Sequence, residues 1–236
     1  QVLTVGAGPW AAGPATLAVE SQSRDTLVLA GRAGSIGIRH AIKAVTTDGI
    51  CVLEVNTTWT NGGSAVFTEP LWVGAHDRIA PAAGGMMARY DSHVAPLLFI
   101  DGDLAYGDTD GGKVGGCAGI GGKEPSAPGV PVGIEGNVEW FGVADRYFGF
   151  LILSETEGAL GHFSTRGVGE SALAGSHVSF APNLQPGASH SASFRAYVGP
   201  LHAKTLDAVD PSLGNAIDLG FFAFFGYPLL WLLRFY

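Results

Sequence analysis

An alternation of apolar and polar residues constrains the fold of this chain most strongly. Residues 51–59 read Cys-Val-Leu-Glu-Val-Asn-Thr-Thr-Trp, so every second side chain would face the same side of an extended strand. One predicted face carries Cys51, Leu53, Val55, Thr57 and Trp59, and the other carries Val52, Glu54, Asn56 and Thr58. The Asn61-Gly62-Gly63 sequence that follows is typical of a turn. The pattern predicts a β-strand.

Two further segments also predict strands. Residues 189–198 alternate in the same way after the turn sequence Gln185-Pro186-Gly187, and we expect them to form a hairpin with residues 177–181. Residues 147–153 form a continuous apolar run that is too short for a helix and rich in aromatic residues. Such a run favours a buried strand in the middle of a sheet.

The composition agrees with a turn-rich β-protein. The chain has 236 residues, of which 36 are glycine, with 47% hydrophobic and 14% charged residues. This balance favours one all-β domain over a helical bundle or a disordered chain. Between residues 101 and 136 glycine, proline and aspartate dominate without apolar periodicity, which predicts long loops or hairpin tips.

The net charge limits which partners the chain is expected to bind, and the start of the chain bears on whether it is part of a longer protein. The formal net charge is -8, so a general attraction to nucleic acid is not expected. The chain begins at Gln1 without a basic segment followed by an apolar one, which favours a piece of a longer protein.

Two segments near the end of the chain predict helices. Residues 201–209 place Leu201, Thr205, Leu206 and Val209 on one helical face, and Pro211 would stop the helix. We expect this helix to pack on the sandwich. The apolar run in residues 219–236 is interrupted by glycine and proline and is shorter than the ~18 residues of a spanning helix, so an interfacial helix is expected. A C-terminal core helix is the alternative.

Glycine-rich motifs near the beginning of the chain suggest cofactor and nucleophile chemistry, but their contexts argue against it. Gly6-Ala7-Gly8-Pro9-Trp10 is close to a dinucleotide-binding fingerprint, which requires a helix directly after it. Gly13-Pro14 lies where the first helical turns should be, so no cofactor is predicted. Residues 33–37 are one residue short of a nucleophile elbow, and a plain turn is the better interpretation.

Potential metal ligands lack the spacing that metal sites require. An acidic cluster could offer oxygen ligands to calcium, but an EF-hand register would place Gly112 at its twelfth position, so a solvated loop is expected. This cluster is Asp101, Asp103, Asp108 and Asp110. The seven histidines are scattered and are interpreted as satisfied surface or core residues. Cys51 and Cys117 are too few for a structural zinc site, and two thiols or one disulfide both remain open.

A set of short motifs follows in order near the end of the chain. Ala196-Tyr197-Val198-Gly199-Pro200 precedes Leu206, Asp218-Leu219-Gly220-Phe221-Phe222 comes next, and Pro228-Leu229-Leu230 precedes Leu232-Leu233. These motifs resemble the strand-to-helix junction, the Asp-x-Gly-aromatic segment and the Pro-Leu-x-x-Leu-Leu segment of the periplasmic domain of the YidC family of bacterial membrane protein insertases. The resemblance is specific over the last part of the chain and weak before it.

The resemblance implies a twisted antiparallel β-supersandwich, similar to mutarotase folds, with a short C-terminal helical segment. It implies a location on the periplasmic side of the bacterial inner membrane and no enzymatic activity or cofactor of its own. The implied partners are the Sec translocon components SecF, SecD and SecYEG, nascent membrane proteins and the surface of the lipid bilayer. Compared with this family, we expect the N-terminal anchor, the membrane helices and the Arg-bearing groove to lie outside this sequence.

The resemblance also divides the chain into three parts and assigns roles to residues. Residues 1–199 are expected to form the sandwich, residues 200–215 a packed helix and linker, and residues 216–236 an interfacial apolar helix. The expected membrane-interface residues are Phe221, Phe222, Phe224, Phe225, Tyr227, Leu229, Leu230, Trp231 and Leu233. The expected structural motif residues are Tyr197, Gly199, Pro200, Asp218, Gly220 and Pro228.

A carbohydrate-binding or mutarotase-like domain is the alternative function. Supersandwich folds hold sugars against aromatic platforms, and Trp59, Trp72 and Trp140 could serve in this way. The sequence shows no acid and base pair that would converge in one cleft. Core tryptophans are therefore the preferred interpretation.

Overall fold

The computed structural model describes residues 2–47, 49–79, 95–107, 114–116, 132–145, 147–168 and 171–217. In this part of the chain, fifteen strands form two antiparallel sheets that pack face to face as a sandwich. The fold is all-β, as the alternation predicted.

The larger sheet contains ten of these strands. They are β2 (Thr16–Gln22), β3 (Thr26–Ala33), β4 (Ile36–Thr47), β5 (Ile50–Asn61), β7 (Ala95–Ile100), β8 (Asp103–Gly107), β9 (Val114–Gly116), β11 (Val138–Ala144), β12 (Phe148–Ser154) and β15 (Ser189–Pro200). Their order across the sheet is β2-β3-β4-β5-β15-β12-β11-β7-β8-β9.

The smaller sheet contains the other five strands. They are β1 (Val2–Ala7), β6 (Leu71–Ile79), β10 (Val132–Ile134), β13 (Leu160–Val168) and β14 (Ser171–Phe180). Their order is β1-β6-β14-β13-β10.

The main core lies between the two sheets. Trp59 on β5, Phe141 on β11 and Phe194 on β15 are almost fully buried there, and the rings of Phe141 and Phe194 meet edge to face. Because side chains alternate along a strand, one face of each strand supplies this core. Burial of the apolar faces is the main force that holds the two sheets together.

A second core lies on the outer face of the larger sheet. There α1 (Ala203–Val209) and a 3-10 segment (Pro211–Ala216) bury Leu206 and Leu213 against the sheet. The sheet supplies Trp140, whose ring stacks on Phe99 at a centroid distance of 5.4 Å. The end of the chain's described part is thus fixed to the sandwich.

Most of the predicted elements are confirmed. The alternating segment 51–59 lies within β5, segment 189–198 within β15, and the apolar run 147–153 overlaps β12, which lies between β11 and β15 in the middle of its sheet. The predicted helix 201–209 is confirmed as α1, although it begins at Ala203. It packs on the sandwich through Leu206.

Two predictions about the strands were wrong. Residues 177–181 do not form a hairpin with β15, because β14 belongs to the smaller sheet while β15 pairs with β5 and β12 in the larger one. The connecting segment crosses between the sheets, where Leu184 bridges Phe67. The loop expected over residues 101–136 contains the strands β8, β9 and β10, and its remaining residues from 108 to 113 and from 117 to 131 lie outside the described part.

Candidate interaction site

The end of β15 forms a closed junction before α1. The Tyr197 hydroxyl donates a hydrogen bond to the Pro200 carbonyl oxygen at 2.8 Å, and Tyr197 is buried in the second core. Burial raises the pKa of the Tyr197 phenol. A Cβ atom at Gly199 would lie 2.6 Å from the Tyr197 hydroxyl oxygen, so a larger residue there would displace the ring. The structure thus brings together Tyr197, Gly199 and Pro200 of the predicted motif.

Ion pairs and hydrogen bonds connect β15 to the 3-10 segment. The Arg195 guanidinium lies 2.9 Å from Glu155 and 3.9 Å from Asp210. Asp210 Oδ1 accepts hydrogen bonds from the backbone N–H and the hydroxyl of Ser212, at 2.9 and 2.7 Å, and so caps the 3-10 segment. These contacts set the path by which the chain reaches Ile217, the last described residue.

A polar cleft of about 350 Å³ lies beside these contacts of Arg195 and Asp210. Its carboxylates outnumber its single guanidinium, so it would favour a cationic group on a partner. The charged residues of its lining are Glu139, Glu155, Glu157, Arg195 and Asp210. Glu139 already accepts a hydrogen bond from the Gly102 N–H at 2.9 Å.

An apolar strip lies on the inner face of the larger sheet, beyond the cover of the smaller sheet. We define it as Ala44, Cys51, Leu53, Phe148 and Val198. Ala44 pairs with Leu53 across two strands, and the others lie on the same face as the core residues of their own strands. Phe148 and Val198 are each 54% exposed, while Cys51 and Ala44 are also exposed. A contiguous exposed apolar patch marks a binding surface more often than scattered apolar residues do.

No member of the apolar strip carries a charge. The nearest charged pair along these strands, Lys43 and Glu54, lies at 3.7 Å on the opposite face of the sheet. The strip is therefore suited to an uncharged, apolar partner surface.

An exposed aromatic tip continues the strip. Tyr147 is 71% exposed and precedes Phe148, and Asp145 Oδ1 accepts a hydrogen bond from each of their backbone N–H groups at 2.7 Å. The Leu201 N–H donates to the Tyr147 carbonyl oxygen at 2.7 Å. The aromatic tip, the apolar strip and the junction after β15 therefore lie at the same end of the larger sheet.

The remaining predicted site residues lie in the C-terminal segment of the sequence. Asp218, Gly220, Pro228 and all nine predicted membrane-interface residues fall in 218–236, outside the described residues. Between residues 2 and 217, the described helices are all too short to cross a membrane. Within the same described ranges, no group of histidine, cysteine, aspartate or glutamate side chains is arranged to hold a metal ion.

The sequence motifs discarded above have structural explanations. The Gly6-Gly8 stretch ends β1 and leads to a 3-10 turn at Trp10–Ala12, and Gly34-Ser35 turns the chain between β3 and β4. Trp59, Trp72 and Trp140 are at most 1% exposed, so they are buried residues and not sugar platforms. Cys51 is a free, exposed thiol, and Cys117 lies outside the described residues.

Sequence reasoning missed a cluster of histidines. His76, His162 and His177 were interpreted as scattered, yet their rings stack on the outer face of the smaller sheet. They lie on three different strands, so their proximity depends on the pairing of those strands.

Two solved structures resemble this chain, each with a TM-score below 0.5. A galactose mutarotase related enzyme from Lactobacillus acidophilus has a TM-score of 0.38 and 11% identity, over 78% of this chain and 71% of that chain. The GH36 α-galactosidase AgaA from Geobacillus stearothermophilus has a TM-score of 0.39 and 12% identity, over 87% of this chain and 29% of that chain.

Curated relatives with higher identity are insertases. The membrane protein insertase YidC of Geobacter metallireducens is 35% identical over 97 residues, which are 41% of this chain and 18% of that protein. The membrane protein insertase YidC of Shewanella baltica is 39% identical over 54 residues, which are 23% of this chain and 10% of that protein. The matched stretches thus span less than a fifth of the relatives' length. The model of the YidC periplasmic domain matches residues 52–232, most of the sequence, and the chain therefore belongs to the YidC periplasmic domain family.

Proposed function

We propose that this chain is the periplasmic interaction domain of a YidC-like membrane protein insertase. Its family membership over residues 52–232 carries the proposal. In this role the domain lies on the periplasmic side of the bacterial inner membrane and supports the insertion and folding of inner-membrane proteins. The proposal includes contact with the Sec translocon components SecF, SecD and SecYEG, and no bond-making chemistry in this domain.

The geometry of the junction end supports this role. The apolar strip and the aromatic tip lie at the end of the sheet where β15 passes into α1. An apolar segment of a client or partner protein would bury the exposed rings and aliphatic chains of this end, at about 25 cal/mol per Å² of apolar surface removed from water. The polar cleft, which lies toward the Ser154 end of β12 and away from Phe148, would bind a separate cationic group of a partner.

Residues 219–236 are proposed to hold the domain at the bilayer. Aromatic and aliphatic residues fill this segment, and amphipathic rings favour the boundary between headgroups and acyl chains. Flotation of the chain with lipid vesicles tests this assignment. The full chain should float, and a chain ending at residue 215 should stay in the dense fraction.

A double variant, Phe222→Asp with Phe225→Asp, tests the same point without shortening the chain. Each charge in an interfacial apolar face costs a few kcal/mol, so flotation should be lost. Tyr147→Ser is the matched control for a surface aromatic residue outside the segment, and it should float. Equal flotation of all variants would contradict the proposed role of residues 219–236. Pull-down of purified Sec components with the full chain tests the partner assignment separately.

A further inference from the structure

Three histidines and a tryptophan stack on the outer face of the smaller sheet. Trp10 lies over His177 at a ring-centroid distance of 4.7 Å and over His76 at 4.8 Å, with interplanar angles of 5° and 23°. His162 stacks on the other side of His177 at 4.8 Å. We call His76, His162 and His177 the histidine stack. Trp10, His76 and His177 are at most 7% exposed, so the stack is covered.

Hydroxyl groups connect the rings of the histidine stack. Thr4 Oγ1 donates to the Gly74 carbonyl oxygen at 3.2 Å and lies 2.9 Å from His76 Nδ1. Ser164 Oγ lies 3.2 Å from His76 Nε2 and 3.1 Å from His177 Nδ1. When both rings are neutral, one arrangement of protons satisfies all of these hydrogen bonds. His76 Nδ1–H donates to Thr4 Oγ1, the Ser164 hydroxyl donates to His76 Nε2, and His177 Nδ1–H donates to Ser164 Oγ. A further proton on His76 would sit on Nε2, so the Ser164 hydroxyl that donates to this atom would have to turn away. A further proton on His177 would sit on Nε2, which takes no part in these hydroxyl contacts.

The histidine stack is neutral at neutral pH because it is buried. Burial lowers the pKa of His76 to about 3 and lowers the pKa of His162. Burial holds the pKa of His177 well below its usual range, and the neighbouring charges that His162 and His76 would carry lower it further.

No described carboxylate faces the stack to offset a charge. The outer face presents Thr4 from β1, Trp72 and His76 from β6, His162 and Ser164 from β13, and His177 and Ser179 from β14. Asp77 points to the other face of β6 by alternation. Among the described side chains on this face, the three imidazoles are therefore the groups that can take up protons.

Trp10 covers the stack from a short strap, which we define as residues 8–13. Gly8 and Gly13 bound it with φ angles of 93° and 84°, a region that favours glycine and leaves the strap two permissive pivots. Within it, Ala12 N–H donates to Pro9 O and Gly13 N–H to Trp10 O, both at 2.9 Å. The buried Trp10 Nε1 has no hydrogen-bond partner. The described contacts that hold the indole in place are therefore ring contacts.

We propose that the strap is an acid-released cover, which leaves the outer face of the smaller sheet when the histidine stack takes up protons. A first imidazolium on His162, the least buried ring, would face the neutral ring of His177. A second one, on His177, would lie 4.8 Å from the first, with no described carboxylate between them. Exposure of the two charged rings to water relieves this repulsion. Because release accompanies the uptake of more than one proton, the transition is cooperative in protons. The proposal stands independently of the proposed function.

Fluorine NMR of the full chain labelled with 5-fluorotryptophan tests the release directly. The chain has five tryptophans, so single Trp→Phe variants assign every resonance. Between pH 5 and pH 3, the resonances of Trp10 and Trp72 should move together and reversibly, while those of Trp59 and Trp140 in the cores should stay in place. A Trp10 resonance that stays in place to pH 3 would overturn the proposal. Simultaneous collapse of all five resonances would overturn it as well, because that reports global unfolding.

Two histidine variants identify the groups that trigger the release. His162 is the least buried ring of the stack, so it should be protonated first. His162→Gln should lower the midpoint of the Trp10 transition by about one pH unit, because the remaining sites are deeper. His202→Gln, at an exposed position outside the stack, is the matched control and should leave the midpoint unchanged. Equal midpoints for both variants would refute the role of the stack, whatever the wild-type titration shows.

Discussion

Lowering the pH from 7.5 to 5.0 should destabilise the chain through two buried histidines. His40 is 2% exposed; its Nδ1 atom lies 2.8 Å from the Thr57 hydroxyl, and its Nε2 atom is buried without a partner. Burial lowers the pKa of His40 to about 4 and that of His76 to about 3. Both rings therefore stay neutral in the folded chain at pH 5.

The sign and the size follow from proton linkage. In the unfolded chain a histidine has a pKa of about 6.5, so at pH 5 it binds a proton that the folded chain does not bind. The unfolded state is then favoured, and stability falls as the pH drops below 6.5 until the folded pKa is reached. Each ring contributes about 2 kcal/mol at pH 5, and the pair about 4 kcal/mol.

Urea denaturation at pH 7.5 and at pH 5.0 measures this loss. His40→Gln should reduce the pH dependence of the free energy of unfolding by about 2 kcal/mol, and His202→Gln, at an exposed position, is the control. A change in the free energy of unfolding below about 1 kcal/mol between the two pH values would refute the assignment of these rings as buried and neutral.

Other variants test the junction and the second core. Leu206→Ala should lower the free energy of unfolding by about 3 kcal/mol, because Leu206 is fully buried against the larger sheet. Lys204→Ala, on the exposed face of α1, should change it by less than about 0.5 kcal/mol. Urea denaturation measures both changes. Gly199→Ala should cost about 1 to 3 kcal/mol by displacing the Tyr197 ring, and its loss of the Tyr197 contact should appear in near-UV circular dichroism. Arg195→Ala should cost less than about 1 kcal/mol, since its ion pairs are partly exposed.

The strands with strong local patterns were predictable from the sequence. Alternation identified β5 and β15, and a continuous apolar run identified β12 as a central strand, because a central strand is buried on both faces. The junction motif also marked where β15 passes into α1. These signals are local, so a single sequence carries them.

The pairing of the strands was not predictable in the same way. β15 follows β14 directly in the chain, yet it lies in the other sheet between β5 and β12. The choice depends on which distant apolar faces meet, and alternation does not carry that information. The short strands β8 and β10 lie in a glycine-rich stretch whose composition is typical of loops.

The surface features could not be predicted from the sequence, because they also depend on which strands pair and which faces the sheets cover. Cys51 and Trp59 share one face of β5, but Trp59 is buried and Cys51 is exposed, because the smaller sheet covers only one end of that strand. Likewise, His162 and His177 meet only because β13 and β14 pair in the register that aligns them. The apolar strip and the histidine stack are therefore products of the tertiary structure.

Site-specific photo-crosslinking in living cells tests the interaction role most directly. A photoreactive residue at Val198, in the apolar strip, should crosslink to membrane proteins under synthesis or to Sec translocon components. The same residue at Glu54, which lies close by on the opposite face of the sheet, should not. Equal crosslinking at both positions, or none at Val198, would contradict the assignment of this domain as an interaction module.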